Sequence, residues 1–481
     1  MGARSTSSTL HRIGLAFALM TTWFMVLLRI QPWPFSDYAV FLAVGQRLRA
    51  GDVLYSGIWD NKDPFVYYSI AALQGIGQPA LWALEASWFA IASVSIYSIA
   101  RTYLLPRSWA LLLGGVLTPI ILIPFHYFPG TTHIPGVALS LAALALFLGN
   151  RFAITGIALG LLILFKLSML PIALVELAVL VLHRRSWRSL LPIAIGGAAT
   201  VAAGLLIVTI RGELVPYLDS IVHNFTYSQT NTETGNTGLL AVMAERLTVL
   251  TDVNVAITIA LIAILLAITV NQRKHIEIWD VTAASFLTAL LLILAIGKFP
   301  HHAQVLGVSA ALAIVVLALV TGRAREAQPF IASAVAALIA LALAGIPDPK
   351  GYRDALVNYQ GTWNSMTTID PSTQDLLDSG DSRSFAIVQG GGLPRSPGLE
   401  DWELACRHIA QRPWESDELL SESLECFPTA EVLMIPRGFT PAPEPPAYRR
   451  FTESVAELLE RDYLCTDASS STLCMRTADP R

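Results

Sequence analysis

The sequence predicts a polytopic α-helical membrane domain of about eleven transmembrane helices followed by a small extracytoplasmic α/β domain. Three observations lead there. A chain that is 54% hydrophobic and only 14% charged, with a mean hydropathy of +0.55, cannot be packed as one soluble globule. Apolar blocks dominate to about residue 345, and ordinary soluble composition follows. All four cysteines, Cys406, Cys426, Cys465 and Cys474, fall in that soluble tail.

Windows long enough to cross about 30 Å of hydrocarbon fall near 13–31, 80–103, 108–125, 134–149, 152–167, 169–183, 189–210, 253–270, 280–297, 304–321 and 330–346. The fourth to sixth and the last are short, which tilt or half-burial accommodates, so roughly ten to twelve spans fit. Positive residues gather in alternate short loops: Arg4 and Arg12, Arg101 and Arg107, Arg151, Arg184 with Arg185 and Arg188, Arg273 and Lys274, Arg323 and Arg325. Such loops face the cytoplasm. The N-terminus is then inside, and the loop 32–79, the turn 126–133, the loop 211–252, the segment 298–304 and the tail from 347 lie outside. The net charge of −4 and the lack of a basic tract give no footprint for nucleic acid. Only five of the 32 basic residues are lysine, a usage that fits a GC-rich bacterial genome.

Two N-terminal features are decoys. Met1-Gly2-Ala3-Arg4-Ser5-Thr6 matches a myristoylation pattern that has no meaning in a bacterium. Residues 10–30 are too long for a signal peptide and no Ala-x-Ala site follows, so an uncleaved first span is expected. The Asn224-Phe225-Thr226 sequon is an accidental three-residue match.

The tail leaves the membrane through Pro347-Asp348-Pro349 and alternates its own elements. Residues 384–388 and 431–435 read as buried strands, whereas 400–411, 416–425 and 450–461 have helical spacing. Residues 462–466 and 472–476 read as a hairpin, which favours Cys465 with Cys474 among the three pairings of four cysteines and leaves Cys406 with Cys426. Disulfides agree with an oxidising compartment outside the membrane.

The most informative stretch is the loop 32–79, far longer than a connector needs to be and rich in acids, aromatics and proline. Residues 38–49 place Tyr38, Phe41, Leu42, Gly45 and Leu48 on one face and Gln46, Arg47 and Arg49 on the other, as in a helix lying along the membrane. Asp37 stands at its start. It has two compatible readings, an N-cap and a carboxylate presented for chemistry, because a helix N-terminus favours an ionised acid.

Here the residues resemble a known family. Ser36-Asp37-Tyr38, Gly51-Asp52-Val53-Leu54-Tyr55, and Trp59-Asp60-Asn61-Lys62-Asp63-Pro64 followed by Tyr67-Tyr68 look like the first outer loop of the GT-C superfamily. The branch is that of protein O-mannosyltransferases and aminoarabinose transferases. Lys298-Phe299-Pro300-His301-His302 is similar to the aromatic and histidine segment before a late span in those enzymes, and Gly156 to Lys166 is a looser match. The resemblance implies a catalytic membrane domain over 1–346 and an outer α/β domain over 347–481. It implies glycosyl transfer from a polyprenyl-phosphate sugar to a cell-envelope acceptor, a glycan, lipid or protein, on the outer face of the bacterial plasma membrane, with the first-loop acid essential. The chain departs from the family pattern where Asp37 is followed by Tyr38 instead of a second acid, and where Asp63-Pro64 replaces Pro-Pro.

Reaction chemistry asks for the same parts. A sugar phosphodiester already has a good leaving group, so an enzyme needs a base for the acceptor hydroxyl and cations for the departing phosphate. Asp37 is the base candidate. Lys62, Lys298, His301 and His302 are the phosphate candidates, with Lys166 and Arg211 behind them, although lysine and arginine near a membrane also snorkel. Adjacent residues such as His301 and His302 point apart on a helix, so both ligating one ion is disfavoured. Asp60, Tyr55, Tyr67, His126, His133 and Lys166 are candidates to line the substrate cavity. No metal motif is present, no cofactor is firmly implied, and the single acid at Asp37 still leaves room for a divalent cation.

Competing motifs are absent: there is no His-Glu-x-x-His, Walker loop, Gly-x-Ser-x-Gly or Cys-x-x-Cys. The alternative from another class is a transporter or flippase of lipid-linked glycans. It would need ionisable groups at mid-depth, and Glu85 and Glu176 are the few visible. A third reading is a scaffolding protein with a degenerate enzyme core. The orientation is testable: an impermeant thiol reagent should label intact cells after reduction, and labelling only after permeabilisation would reverse the topology.

Overall fold

In the computed structural model the described residues are 3–30, 36–123, 132–230, 247, 250, 253–270, 277–296, 300–321, 384–388, 402–409, 411, 417–436, 438–442, 446–467 and 471–477. The chain forms two compact units. The first comprises Met1–Pro32, Leu81–Leu205 and Met243–Pro347, and the second Trp33–Ala80, Leu206–Val242 and Asp348–Arg481.

The first unit is helical because its sequence is apolar around most of each helix, so every backbone polar group must be satisfied within its own segment. Among the described residues five stretches are long and apolar enough to cross a membrane: Gln78–Thr102, Phe152–Arg184, Trp187–Ile210, Glu277–Ala295 and His302–Val320. Ile13–Leu28, Arg107–Leu122, His133–Leu148 and Val255–Thr269 are shorter apolar helices. The expected windows 152–167 and 169–183 form one stretch of 33 residues, broken where Lys166 leaves helical geometry (φ −162°, ψ 75°) and a 3₁₀ turn, Leu167–Met169, follows. The expected span 330–346 lies outside the described residues.

Close packing uses small residues. Phe152–Lys166 approaches Leu190–Ile210 so nearly that a Cβ on Gly156 would sit 2.1 Å from the Ile193 carbonyl oxygen, and one on Gly196 2.2 Å from that of Ala153. The Gly156-x-x-x-Gly160 spacing thus allows backbone contact that lipid-like side chains alone would not drive. At other helix ends charges pair: Arg184 and the Tyr103 hydroxyl (2.8 Å) both donate to Glu277, and His183 lies 2.9 Å from Asp280. A cation at one helix C-terminus and an acid in the first turn of another also suit both helix dipoles.

The second unit joins the first loop to a five-stranded sheet. Strands β1 (Ser384–Ile387), β2 (Glu403–Leu404), β3 (Val432–Pro436), β4 (Tyr463–Asp467) and β5 (Ser471–Arg476) lie in the order β2-β1-β3-β5-β4. The β1 strand runs parallel to β2 and β3, whereas β5 runs antiparallel to β3 and β4. The β4–β5 hairpin puts Cys465 opposite Cys474, and the cysteines pair as Cys465–Cys474 and Cys406–Cys426. Helix Pro446–Asp462 closes the core with Tyr448, Phe451, Val455, Leu458 and Leu459, which share one face at helical spacing.

Two expectations are corrected. The helix expected over 400–411 is absent from residues 402–409: Glu403–Leu404 is a strand, and the Ala405 N–H donates to the Phe385 carbonyl at 2.8 Å. Pairing with β1 and the Cys406 disulfide outweigh a weak helical spacing. In helix Ser36–Ala50, Gln46 and Arg47 were expected on the polar face of a helix lying along the membrane, yet both are buried within the protein. Arg47 Nε donates to Asp52 Oδ2 at 2.6 Å and its Nη1 to the Trp402 carbonyl at 2.6 Å, so the charge is paired where it is buried.

Candidate active site

The candidate site grows from the turn that ends helix Ser36–Ala50. Gly51, at φ 108°, takes a conformation that favours glycine, and the Asp52 N–H returns to the Arg47 carbonyl at 3.0 Å. The chain then curls so that Tyr55 adopts φ 68° and its N–H reaches the Ile58 carbonyl at 2.7 Å. The residues after it are held by phenols. Tyr55 Oη donates to the Lys62 carbonyl at 2.7 Å, the Lys62 N–H donates to Tyr67 Oη at 3.2 Å, and Tyr67 Oη donates to Asp60 Oδ2 at 2.5 Å. Both tyrosines are fully buried, so Asp60–Lys62 is clamped from two sides.

Lys62 is held by its backbone while its side chain stays half-exposed. Its Nζ donates to Asn61 Oδ1 at 2.5 Å and sits 5.9 Å from the centroid of the Phe41 ring. An ammonium group has three donors, so it retains capacity for an anion.

A second polar centre lies under the loop. Glu213 is completely buried and accepts from the Leu54 N–H at 3.2 Å, from Arg211 Nε at 2.8 Å and from Tyr68 Oη. The Arg211 guanidinium also lies 5.2 Å from the Tyr68 ring centroid. Tyr217 Oη donates to Asp63 Oδ1 at 3.4 Å, and its ring stacks on Tyr55 at 5.7 Å. Burial raises the phenols of Tyr55, Tyr67, Tyr68 and Tyr217 above their ordinary value, and the nearby carboxylates push the same way. All four therefore remain protonated donors at neutral pH.

The tail completes this unit. The Trp59 N–H donates to the Arg407 carbonyl at 2.8 Å, Arg407 Nη1 donates to the Tyr55 carbonyl at 3.1 Å, and the Trp59 and His408 rings lie 5.2 Å apart. Arg407 makes a bidentate pair with Glu422 at 2.6 and 2.7 Å. His408 Nε2 is 3.2 Å from Glu422 Oε2, close enough for electrostatic contact but not aligned as a hydrogen bond. The adjacent His408 and Arg407 hold the Glu422 carboxyl down at about 2, and burial holds His408 below its ordinary value.

Of the residues singled out from the sequence, Tyr55, Asp60, Lys62 and Tyr67 come together here. The backbone of Asp37 lies within the first turn of Ser36–Ala50, not before it, and its side chain lies outside the described residues. His133 opens helix His133–Leu148 in the first unit, where its ring is 5.7 Å from that of His302. Lys166 stands in the same unit, at the break after Phe152–Lys166. His301 has its backbone in the turn Pro300–Leu306 but its side chain outside the described residues, as are Lys298 and His126 entirely. Among the described residues no three His, Cys, Asp or Glu side chains gather as a metal site. Sequence reasoning missed Glu213, Tyr217, Arg407 and His408. Arg211-Gly212-Glu213 after a long apolar span was the one visible sign, since an acid there has no reason to be buried without partners.

The chain has a fold already seen in a solved structure. It is similar to ArnT from Cupriavidus metallidurans, solved with undecaprenyl phosphate bound, with a TM-score of 0.58 and 13% identity over 98% of this chain and 99% of that one. The archaeal oligosaccharyltransferase AglB from Archaeoglobus fulgidus matches with a TM-score of 0.46 and 13% identity, over 98% of this chain and 75% of that one. The arabinofuranosyltransferase AftD from Mycobacteria gives 0.49 and 13%, over 98% and 40%. No protein-family model matches the sequence, and no curated protein does.

Two outcomes follow from the buried centres. Glu213→Ala leaves the buried Leu54 N–H without an acceptor and should cost about 1–3 kcal/mol, whereas Glu213→Gln, which keeps an acceptor oxygen, should cost less. Thermal unfolding in nanodiscs, with proteolysis of the first loop as a local probe, measures both. Because the folded value of His408 is depressed, its contribution to stability is complete above about 6.5, the value in an unfolded chain, and declines as pH falls toward the folded value. The melting temperature should drop between pH 7.5 and 5.5, and His408→Gln should flatten that dependence; an unchanged slope would remove His408 from the account.

Proposed function

We infer that this chain is an integral-membrane inverting glycosyltransferase that moves a sugar from a polyprenyl-phosphate donor to a cell-envelope acceptor on the outer face. The observation that carries this reading is the likeness, along nearly the full length of both chains, to a fold whose solved member binds undecaprenyl phosphate. The clamped first loop supports it, because it presents Lys62 from a rigid backbone next to the helix that bears Asp37. In the proposed orientation the N-terminus is cytoplasmic, and the first loop and the tail are extracytoplasmic.

Asp37 accepts the proton of the acceptor hydroxyl as that oxygen bonds to the anomeric carbon. The bond from that carbon to the phosphate oxygen breaks on the opposite face, its electron pair leaves with the lipid phosphate, and configuration inverts. Lys62, Lys298, His301 and His302 are the cations proposed for the departing phosphate, whose charge grows in the transition state. Asp60 presents its second oxygen toward sugar hydroxyls, while Tyr67 fixes the first. A divalent ion, if it takes part, would be held by Asp37 with a distant partner.

The transporter reading rests on Glu176, fully buried within an apolar stretch with Ser140 Oγ 3.2 Å from its Oε2. Glu176→Gln should leave transfer intact if the chain is a transferase.

The decisive experiment uses purified enzyme in nanodiscs with a polyprenyl-phosphate sugar. Asp37→Asn keeps the size and polarity of the side chain and should fold normally, yet lower turnover by about 10²–10⁴-fold, the usual contribution of a general base. Near-normal transfer would reduce Asp37 to a structural residue. Lys62→Ala should depress turnover more than donor binding, with activity insensitive to chelator. Activity lost in chelator and restored by a divalent ion, together with an active Lys62→Ala variant, would transfer the role to a metal.

A further inference from the structure

A cavity of about 240 Å³ in the second unit shares Tyr55 with the Asp60–Lys62 clamp but includes neither Asp60 nor Lys62 in its lining, and it has no role in the chemistry above. Its lining includes Tyr55, Trp59, Asp219, Ser220, His223 and Arg407. It is too small for a drug-sized ligand, whose sites span about 300–1,000 Å³, and it suits a single ring. Its walls combine two aromatic residues with a carboxylate, a hydroxyl and an imidazole. The apolar face of a sugar packs on an aromatic ring while its hydroxyls donate to carboxylates and exchange hydrogen bonds with hydroxyl and imidazole groups.

The charges sort the ligand further. The Arg407 guanidinium is engaged by both oxygens of Glu422 and by the Tyr55 carbonyl, so it forms a fixed, neutralised wall. Asp219 forms no ion pair or hydrogen bond with another described residue, and it is the one unmatched charge among the lining residues. An unmatched carboxylate attracts hydroxyl donors and repels phosphate or carboxylate. The donor sugar carries its phosphate on the anomeric carbon, which Asp219 would disfavour; a sugar unit of a neutral acceptor glycan carries none.

We propose that this cavity is the acceptor subsite and that it takes one uncharged sugar ring of a glycan, stacked on Trp59 and hydrogen-bonded to Asp219. The proposal rests on the glycosyltransferase reading, so its test has separate arms. Wild-type protein in nanodiscs is first titrated with undecaprenyl phosphate; failure to bind would count against the transferase reading itself. Saturation-transfer NMR is then run with methyl glycosides of mannose, glucose and arabinose, against glucuronic acid and glucose 6-phosphate. At least one neutral glycoside should bind and the anionic sugars should not. Binding should weaken at least tenfold in Asp219→Asn, whose exposed side chain leaves folding unaffected, and in Trp59→Ala, with melting temperature as the fold control. It should persist when the protein is saturated with undecaprenyl-phosphate mannose. Preference for the anionic sugars, undiminished binding to Asp219→Asn, absence of glycoside binding in protein that binds undecaprenyl phosphate, or displacement by the loaded donor would each overturn the acceptor assignment.

Discussion

The second unit depends on one buried carboxylate. Glu213 has no access to water, so its carboxyl oxygens must be satisfied by protein groups, and it receives donors from Leu54, Tyr68 and Arg211. Those donors come from the first loop and from the segment following a long apolar helix, far apart in sequence. In so buried a place the acid makes any other loop conformation costly, because each alternative would strip a buried polar group of its partners. Once Leu54 is held, Tyr55 is committed to its left-handed backbone, its ring stacks on Tyr217, and its hydroxyl reaches the Lys62 carbonyl. The phosphate-binding candidate is thus positioned through a chain of contacts that starts at a residue with no chemical role of its own.

Rigidity of this kind suits the proposed transfer between two large, mobile substrates. Much of the work of such an enzyme is holding groups in place, since the leaving phosphate needs little activation. The phenols around Asp60 and Asp63 contribute by staying neutral, so each donates to a carboxylate without competing for its charge. The tail adds a further set of anchors. Arg47 ties the helix after the first span to Trp402, and Arg407 ties Tyr55 to the helix that carries Glu422. The disulfide Cys406–Cys426 brackets Arg407 and Glu422 and ties the chain that follows the short strand Glu403–Leu404 to the end of helix Asp417–Cys426.

The helical unit is assembled by different physics. In a bilayer apolar side chains gain little by leaving lipid for protein, so close packing and paired polar groups select neighbours. The backbone approach at Gly156 and Gly196 supplies the first, and the Arg184, Tyr103 and Glu277 cluster the second. Lys166 interrupts an otherwise continuous apolar stretch, at the boundary between the two windows 152–167 and 169–183 that hydropathy separates.

Composition, hydropathy and cysteine placement determined by themselves that this is a multi-span chain with a small disulfide-bearing α/β tail, because these properties are local or additive along the sequence. The hairpin around Cys465 and Cys474, the amphipathic helix ending near Asp462, and the importance of the first loop were legible for the same reason. The clamp around Asp60 to Lys62 was only half legible: Tyr55 and Tyr67 were visible as candidates, but two of the three hydrogen bonds that tie them to this segment go to the backbone of Lys62. Residues 402–409 read as a helix and became a strand, and Arg47 read as part of the polar face of a helix lying along the membrane and became buried, because in both cases a distant partner outweighed a local preference. Glu213, Tyr217 and Arg407 were decided only by the tertiary structure. Their significance lies in pairings across 145 to 352 positions of chain, and a carboxylate's neighbours in space, unlike its neighbours in sequence, are set by the packing of the whole unit.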